Sequence, residues 1–183
     1  VNVSTLEIGK ELNITLTLDN TNEPISGSNT VSVTVNKDYN WVSLGTGTFA
    51  DVLAFTEKPY DVEIQKADGF DRYRVMKPYE QGLKNDDGGW GNAVASTSCD
   101  YIEFWIKDGI IYYNKFFIGI NYDGSASNAI YAHHPSDFAG ISLANNKQLD
   151  DKTFQLAPYY YIEVLQGGFD YTGEGGSILI TLP

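Results

Sequence analysis

The chain has 183 residues, 42% hydrophobic and 20% charged, with 24 acidic against 12 basic side chains and a formal net charge of −12. That length buries a sizeable core, roughly 70% of the unfolded surface, and no apolar run approaches the ~18 residues of a membrane-spanning helix. The acidic balance repels phosphate backbones and anionic lipid surfaces, which disfavours nucleic acid as a partner; the single Cys99 allows neither an intramolecular disulfide nor a cysteine-based zinc site.

The chain opens without an initiating Met or a basic and apolar leader, and so reads as a mature form whose export signal has been removed. Thirteen Tyr, nine Phe and three Trp beside eighteen Gly favour strands joined by tight turns. Leu12, Ile14, Leu16 and Leu18 alternate with polar residues, the period of a half-buried strand. After a turn-rich stretch over 19–29 with Pro24 and Gly27, Val31, Val33 and Val35 repeat the alternation, which predicts an N-terminal hairpin.

Residues 41–51, WVSLGTGTFAD, open the main body, and Gly45 and Gly47 are expected to bend this strand or admit a neighbour closely. Tyr60, Val62 and Ile64 then oppose Asp61, Glu63 and Gln65. Across a turn at Asp68-Gly69, Tyr73 and Val75 oppose Arg72 and Arg74. This second hairpin is closed by Pro78, with Tyr79 capping the core and its hydroxyl left in water.

The sharpest turn is Asp108-Gly109, between 101–107 and 110–120, because Asp-Gly supplies the positive φ angles of a type I′ hairpin. Its second arm, IIYYNKFFIGI, is apolar on both faces and is expected to be a central strand covered on both sides. Residues 150–156 lead into an aromatic strand over 159–165, and Ile178, Ile180 and Leu182 form a final alternating strand. Segments 84–92, 121–128 and 166–176 are loops by composition, and no window carries a sustained helical stripe.

Many short strands at regular spacing predict an all-β fold. The expected form is an antiparallel β-sandwich, immunoglobulin-like or jelly-roll-like, with a barrel as the alternative. Residues 1–183 are expected to form a single all-β domain, with a possible sub-boundary near Asp38. The hairpin 1–38 is too short for an immunoglobulin-like domain of ~100 residues. It is expected to add strands to the main body, 39–183, rather than to be the remnant of a preceding module.

LGTGTFAD (44–51), YDVEIQK (60–66) and YRVMKPY (73–79) together resemble a pattern in secreted lipoproteins of gut Bacteroidetes. That pattern is a Gly-Thr-Gly strand followed by Asp, a V-x-I-Q strand, and a Y-R-V-x-x-P-Y close. DYIEFWIKDGIIYY (100–113), FQLAPYYYI (154–162) and the terminal TLP are more loosely similar. The resemblance implies an exported, lipid-anchored, all-β surface protein of a group described as adhesins or left uncharacterised. No lipobox Cys precedes the domain, so the implied anchor rests on residues outside this sequence.

Candidate chemistry is sparse. His133-His134-Pro135-Ser136-Asp137 crowds imidazole, hydroxyl and carboxylate together, but neighbouring side chains on a strand point to opposite faces, so the segment reads as a surface turn rather than a metal site. Ser136 lacks the elbow motif of a nucleophilic serine, and Asp100 beside Cys99 disfavours a thiolate. Paired carboxylates for glycoside hydrolysis can be drawn from 24 acids in many ways and need distances to mean anything. Asp86-Asp87 and 121–128 offer oxygens in glycine turns without the spacing of a calcium loop.

Aromatic residues carry the best binding candidates. Trp90 stands in a Gly-rich loop with few local partners, and Tyr159 and Tyr161 share one strand face while Tyr160 takes the other. The expectation is a non-enzymatic extracellular or cell-surface module without a cofactor. Its expected partner is a host or microbial surface macromolecule, with a glycan among the candidates, bound through Trp90, Tyr159 and Tyr161. A structural spacer is the alternative, and a polysaccharide hydrolase a more remote one. Membrane association is expected only through an unseen lipid anchor.

Overall fold

A computed structural model describes residues 6–17, 30–54, 58–85, 88–170 and 175–183. The chain divides into two compact units, Val1–Asn40 and Trp41–Pro183. In the first, β1 (Glu11–Thr17) and β2 (Thr30–Asn36) pair antiparallel. Leu12 lies opposite Val35, Ile14 opposite Val33 and Leu16 opposite Val31, which gathers the aliphatic side chains into one ladder. The other face is polar: Thr34 Oγ1 donates to Asn13 Oδ1 at 2.7 Å. The aliphatic face is more open than alternation predicts, with Leu16 60% and Val31 61% exposed. Among the described residues these strands bond only to each other and add no strand to another sheet; the predicted turn with Pro24 and Gly27 lies outside the described residues.

The second unit is an all-β body of antiparallel strands. These are β3 (Trp41–Asp51), β4 (Tyr60–Ala67), β5 (Arg72–Met76), β6 (Tyr101–Lys107), β7 (Ile110–Tyr113), β8 (Phe116–Asn121), β9 (Ala129–His133), β10 (Lys147–Gln148), β11 (Thr153–Leu156), β12 (Tyr159–Ile162), β13 (Gly167–Asp170) and β14 (Ile178–Thr181). One sheet has the order β10-β11-β14-β3-β4-β5-β6-β7, the other β13-β12-β9-β8. Ile111 N–H on β7 donates to the Asn146 carbonyl just before β10, at 2.9 Å. The eight-stranded sheet therefore curls until its two edges meet, nearly a barrel, while the smaller sheet lies against its inner face. Phe49, Ile64, Val75, Phe104 and Ile111 from the large sheet share one core with Phe116, Ile118, Ile130 and Tyr160 from the small one.

Local chemistry explains the bends. Asp108 and Gly109 take φ of 53° and 78°, the left-handed pair a tight hairpin needs. Gly45 takes φ 108° where the β3–β4 register shifts. A side chain at Gly47 would meet the Thr181 carbonyl at 2.3 Å and Ile64 Cγ1 at 2.8 Å, so both glycines do what the sequence suggested, one bending the strand and one admitting β14.

Several expectations are corrected. IIYYNKFFIGI is not one central strand: the chain breaks at Asn114-Lys115, leaving β7 at the edge of the large sheet and β8 at the edge of the small one. Its second apolar face arises because outward Tyr112 packs against Trp105 and His134, and outward Phe117 against Tyr131. The aromatic strand ends at Ile162, and part of the predicted 166–176 loop is β13, where Gly167 and Gly168 pair with Ile162 and Tyr161. A six-residue helix, α1 (Glu80–Asn85), is too short to show a stripe.

Tyr79 also departs from expectation, because its hydroxyl is dry. It donates to Asp51 Oδ2 at 2.8 Å, in a site where Asp51 is 1% exposed. Tyr160 donates to the same carboxylate at 3.0 Å, and the Leu53 and Ala54 amides donate to Oδ1 at 3.1 and 3.2 Å. Ser177 Oγ lies 2.5 Å behind the Tyr160 oxygen, so a chain of donors runs Ser177 to Tyr160 to Asp51. Burial pushes the Asp51 carboxyl above the usual range, and these donors only partly offset it. The network ties β3 of one sheet to β12 of the other.

Candidate functional site

Strand parity places Phe117, Tyr131, His133, Tyr159 and Tyr161 on the outer face of the small sheet, because Phe116, Ile130, Ala132, Tyr160 and Ile162 take the inner one. Register aligns them in two rows. Phe117 lies opposite Tyr131, Tyr131 opposite Tyr161, and Tyr161 opposite Gly168; His133 lies opposite Tyr159, and Tyr159 opposite Asp170. Gly168 keeps the surface flat, since a side chain there would sit 2.7 Å from the Tyr159 ring.

A short 3-10 turn, Pro135–Asp137, follows β9 and swings Phe138 over this face. Its ring centroid lies 4.8 Å from Tyr159, 5.1 Å from Tyr161 and 5.4 Å from His133. Tyr159 and Tyr161 are 6.2 Å apart. These rings remain half-buried, so each keeps surface for a ligand. Lys115 pairs with Glu163 across the sheet and its Nζ lies 5.1 Å from the Tyr131 centroid. Each member of the pair holds the other charged, raising Lys115 and lowering Glu163.

The two histidines point to opposite faces; the expected turn is present, with His134 capping Pro135–Asp137, but both imidazoles are buried rather than on the surface. His134 is 2% exposed: its Nε2–H donates to the Ile111 carbonyl at 3.0 Å, and Nδ1 accepts from the Ser136 hydroxyl at 2.7 Å and amide at 3.2 Å. Burial holds it below the ordinary histidine range. With both nitrogens engaged, it is a structural group rather than a base for Ser136. His133, 9% exposed, has Nδ1 3.3 Å from Asp137 Oδ2, and its Nε2 has no partner among the described residues.

Trp90 stands apart from this face. Its indole N–H donates to the Ala54 carbonyl and its ring packs against the core while staying half-buried, so its partners are distant in sequence rather than local. Cys99 is a poor nucleophile: burial, with a smaller contribution from Asp100, pushes its thiol up to about 12. Asp123 spends its oxygens on the Ser125 amide and Asn128 Nδ2, each at 3.0 Å. Asp86-Asp87 lies outside the described residues, among which no group of three His, Cys, Asp or Glu could hold a metal ion.

A second aromatic surface lies on the outside of the large sheet, but the protein's own cations occupy it. The Arg74 guanidinium sits 3.9 Å from the Trp41 centroid and 4.2 Å from Tyr101, and Arg72 sits 4.4 Å from Trp105. Glu103 joins them, accepting from Arg72 Nε at 2.5 Å and Arg74 Nε at 2.7 Å. Two clefts of about 520 and 470 Å³ share α1 as a wall, and in the first Asp61, Glu63 and Glu80 mix with Lys77 and Lys84.

Tyr159 and Tyr161 were legible from strand parity, whereas Phe138 and Tyr131 were missed. Tyr131 alternates visibly in AIYAH, but nothing local signals that the turn after β9 folds Phe138 back. No family model, curated protein or solved structure matches this chain.

Proposed function

We propose that this chain is a non-enzymatic extracellular module of a cell-surface protein that binds a glycan through the outer face of its small sheet. The observation that carries the reading is the triangle of half-buried rings formed by Phe138, Tyr159 and Tyr161. Aromatic rings bring large apolar area with polar edges, a combination suited to the alternating faces of a sugar. Tyr159 and Tyr161, held on a strand, cost little ordering entropy on binding. The acidic balance favours such a partner over nucleic acid. Export and a lipid anchor upstream are part of the same proposal, supported by the resemblance of 44–79 to secreted lipoproteins. Affinity electrophoresis of the purified chain through a panel of soluble polysaccharides tests it. Retardation lost in Tyr159→Ala and Tyr161→Ala is expected, and migration unchanged by every polymer sinks it.

The alternative, a spacer in a larger surface protein, is favoured by one observation, the open aliphatic ladder of Leu12, Leu16, Val31 and Val33. A two-stranded ribbon is marginal in water by itself, and stacking against a neighbouring module would cover this face. A Leu16→Asn, Val31→Asn variant that stays monomeric and binds polysaccharide as before counts against the spacer.

A further inference from the structure

The ligand's chemistry is written in what surrounds the rings. Asp137 is exposed beside His133, Asp170 is exposed on β13 at the register position opposite Tyr159, and Glu163 follows β12. Lys115, the cation placed at this face, is already held by Glu163. An anionic sugar would meet uncompensated carboxylates here, and like charges brought together cost binding energy.

His133 adds a hydrogen-bond acceptor to the face. Its Nδ1 lies 3.3 Å from the Asp137 carboxylate, which can only accept, so Nδ1 carries a proton; in the neutral ring that leaves Nε2 with a bare lone pair. That nitrogen is the buried side-chain polar atom without a partner among the described residues, and its ring lies 5.4 Å from Phe138 and 5.7 Å from Tyr161 at interplanar angles of 67° and 81°. A buried acceptor left unsatisfied is costly and calls for an occupant. A lone pair needs a donor, and a sugar hydroxyl supplies one; exclusion of anionic chains rests on the exposed Asp137 and Asp170 carboxylates.

Resting on the glycan-binding reading, we infer that the face takes an uncharged polyhydroxylated chain, a neutral polysaccharide, rather than a polyuronate or sulfated one. One ligand hydroxyl donates to His133 Nε2. Specificity thus comes from both attraction and exclusion.

Three soluble polymers of similar length test this with the full chain: an unsubstituted neutral glucan, a polyuronate and a sulfated glucan, each titrated at low and at physiological salt. The neutral glucan is expected to bind at least about tenfold more tightly, a difference of roughly 1.4 kcal/mol, with the gap narrowing as salt rises. Equal or tighter binding of the polyuronate overturns the inference while leaving the glycan reading intact. Failure of all three overturns both. For His133, the loss on His133→Phe should exceed that on His133→Gln, which keeps an acceptor, with thermal midpoints confirming that both fold. Nitrogen-15 spectra of histidine-labelled protein should show an unprotonated Nε2 whose signal moves when the neutral glucan is added. A protonated Nε2, or a signal that ignores bound glucan, overturns its role.

Discussion

Replacing Tyr160 by Phe removes one oxygen and preserves the ring, which stacks on Phe169 with centroids 5.7 Å apart. The lost hydroxyl donates to Asp51 at 3.0 Å and stands 2.5 Å from Ser177 Oγ. A hydrogen bond contributes about 0.5–1.5 kcal/mol net, or about 1.5–3 where the acceptor is ionised, and a buried hydroxyl left without its acceptor costs about 1–3 kcal/mol. Both terms arise from the loss of one oxygen and overlap, so the expected loss is about 3 kcal/mol. For a body of this size that corresponds to a fall in Tm of roughly 6–12 °C. Urea unfolding followed by the fluorescence of Trp41, Trp90 and Trp105 measures it, with Ser177→Ala and the double variant completing a cycle. A relay predicts coupling of about 1 kcal/mol or more between the two positions. A loss below about 0.5 kcal/mol, or strictly additive singles, would refute the donor chain as a source of stability.

Asp51 gives a pH signature. Its carboxyl is raised on folding from an unfolded value of about 3.9. Its contribution is therefore fully present below that pH and is lost as pH rises through the folded value. Stability of the wild type relative to Asp51→Asn should decline over that window by up to about 1.4 kcal/mol per pH unit; a relative gain with rising pH would show that the four donors outweigh burial. Cys99, raised to about 12 by burial, should resist a thiol reagent at pH 8 in the folded chain and react once urea is added; fast labelling of the native protein contradicts this. Gly47→Ala forces a methyl to 2.3 Å from the Thr181 carbonyl and should cost about 1–3 kcal/mol, with early loss of amide protection in β14; native-like protection there disproves the close approach.

Strand identity was legible wherever one face is solvated. Tyr60, Val62 and Ile64, or Tyr73 and Val75, alternate because polar neighbours face water, and the Asp-Gly turn declares its own geometry. Where both faces are covered the period disappears, which is why the break at Asn114-Lys115 between β7 and β8 was invisible: Tyr112 and Phe117 are screened by partners distant in sequence. The site was half legible for the same reason. Parity put Tyr159 and Tyr161 together, but the arrival of Phe138 and the core packing of Trp90 are tertiary facts. Asp51 looked like the end of a motif and is instead the hub joining two sheets, a role set by Tyr79, Tyr160 and Ser177, which lie 28 to 126 positions away.

The position of β14 governs how a nascent chain can mature. Its four residues, 178–181, slot between β11 and β3, pairing Ile178 with Asp51 and Thr181 with Thr48. Until they emerge from the ribosome, β3 and β11 each present a bare hydrogen-bonding edge, the template on which strands from other chains add. Closure across so long a span is slow, so the chain passes through an interval in which both edges are open to pairing, and any chain cut short of Ile178 keeps them open.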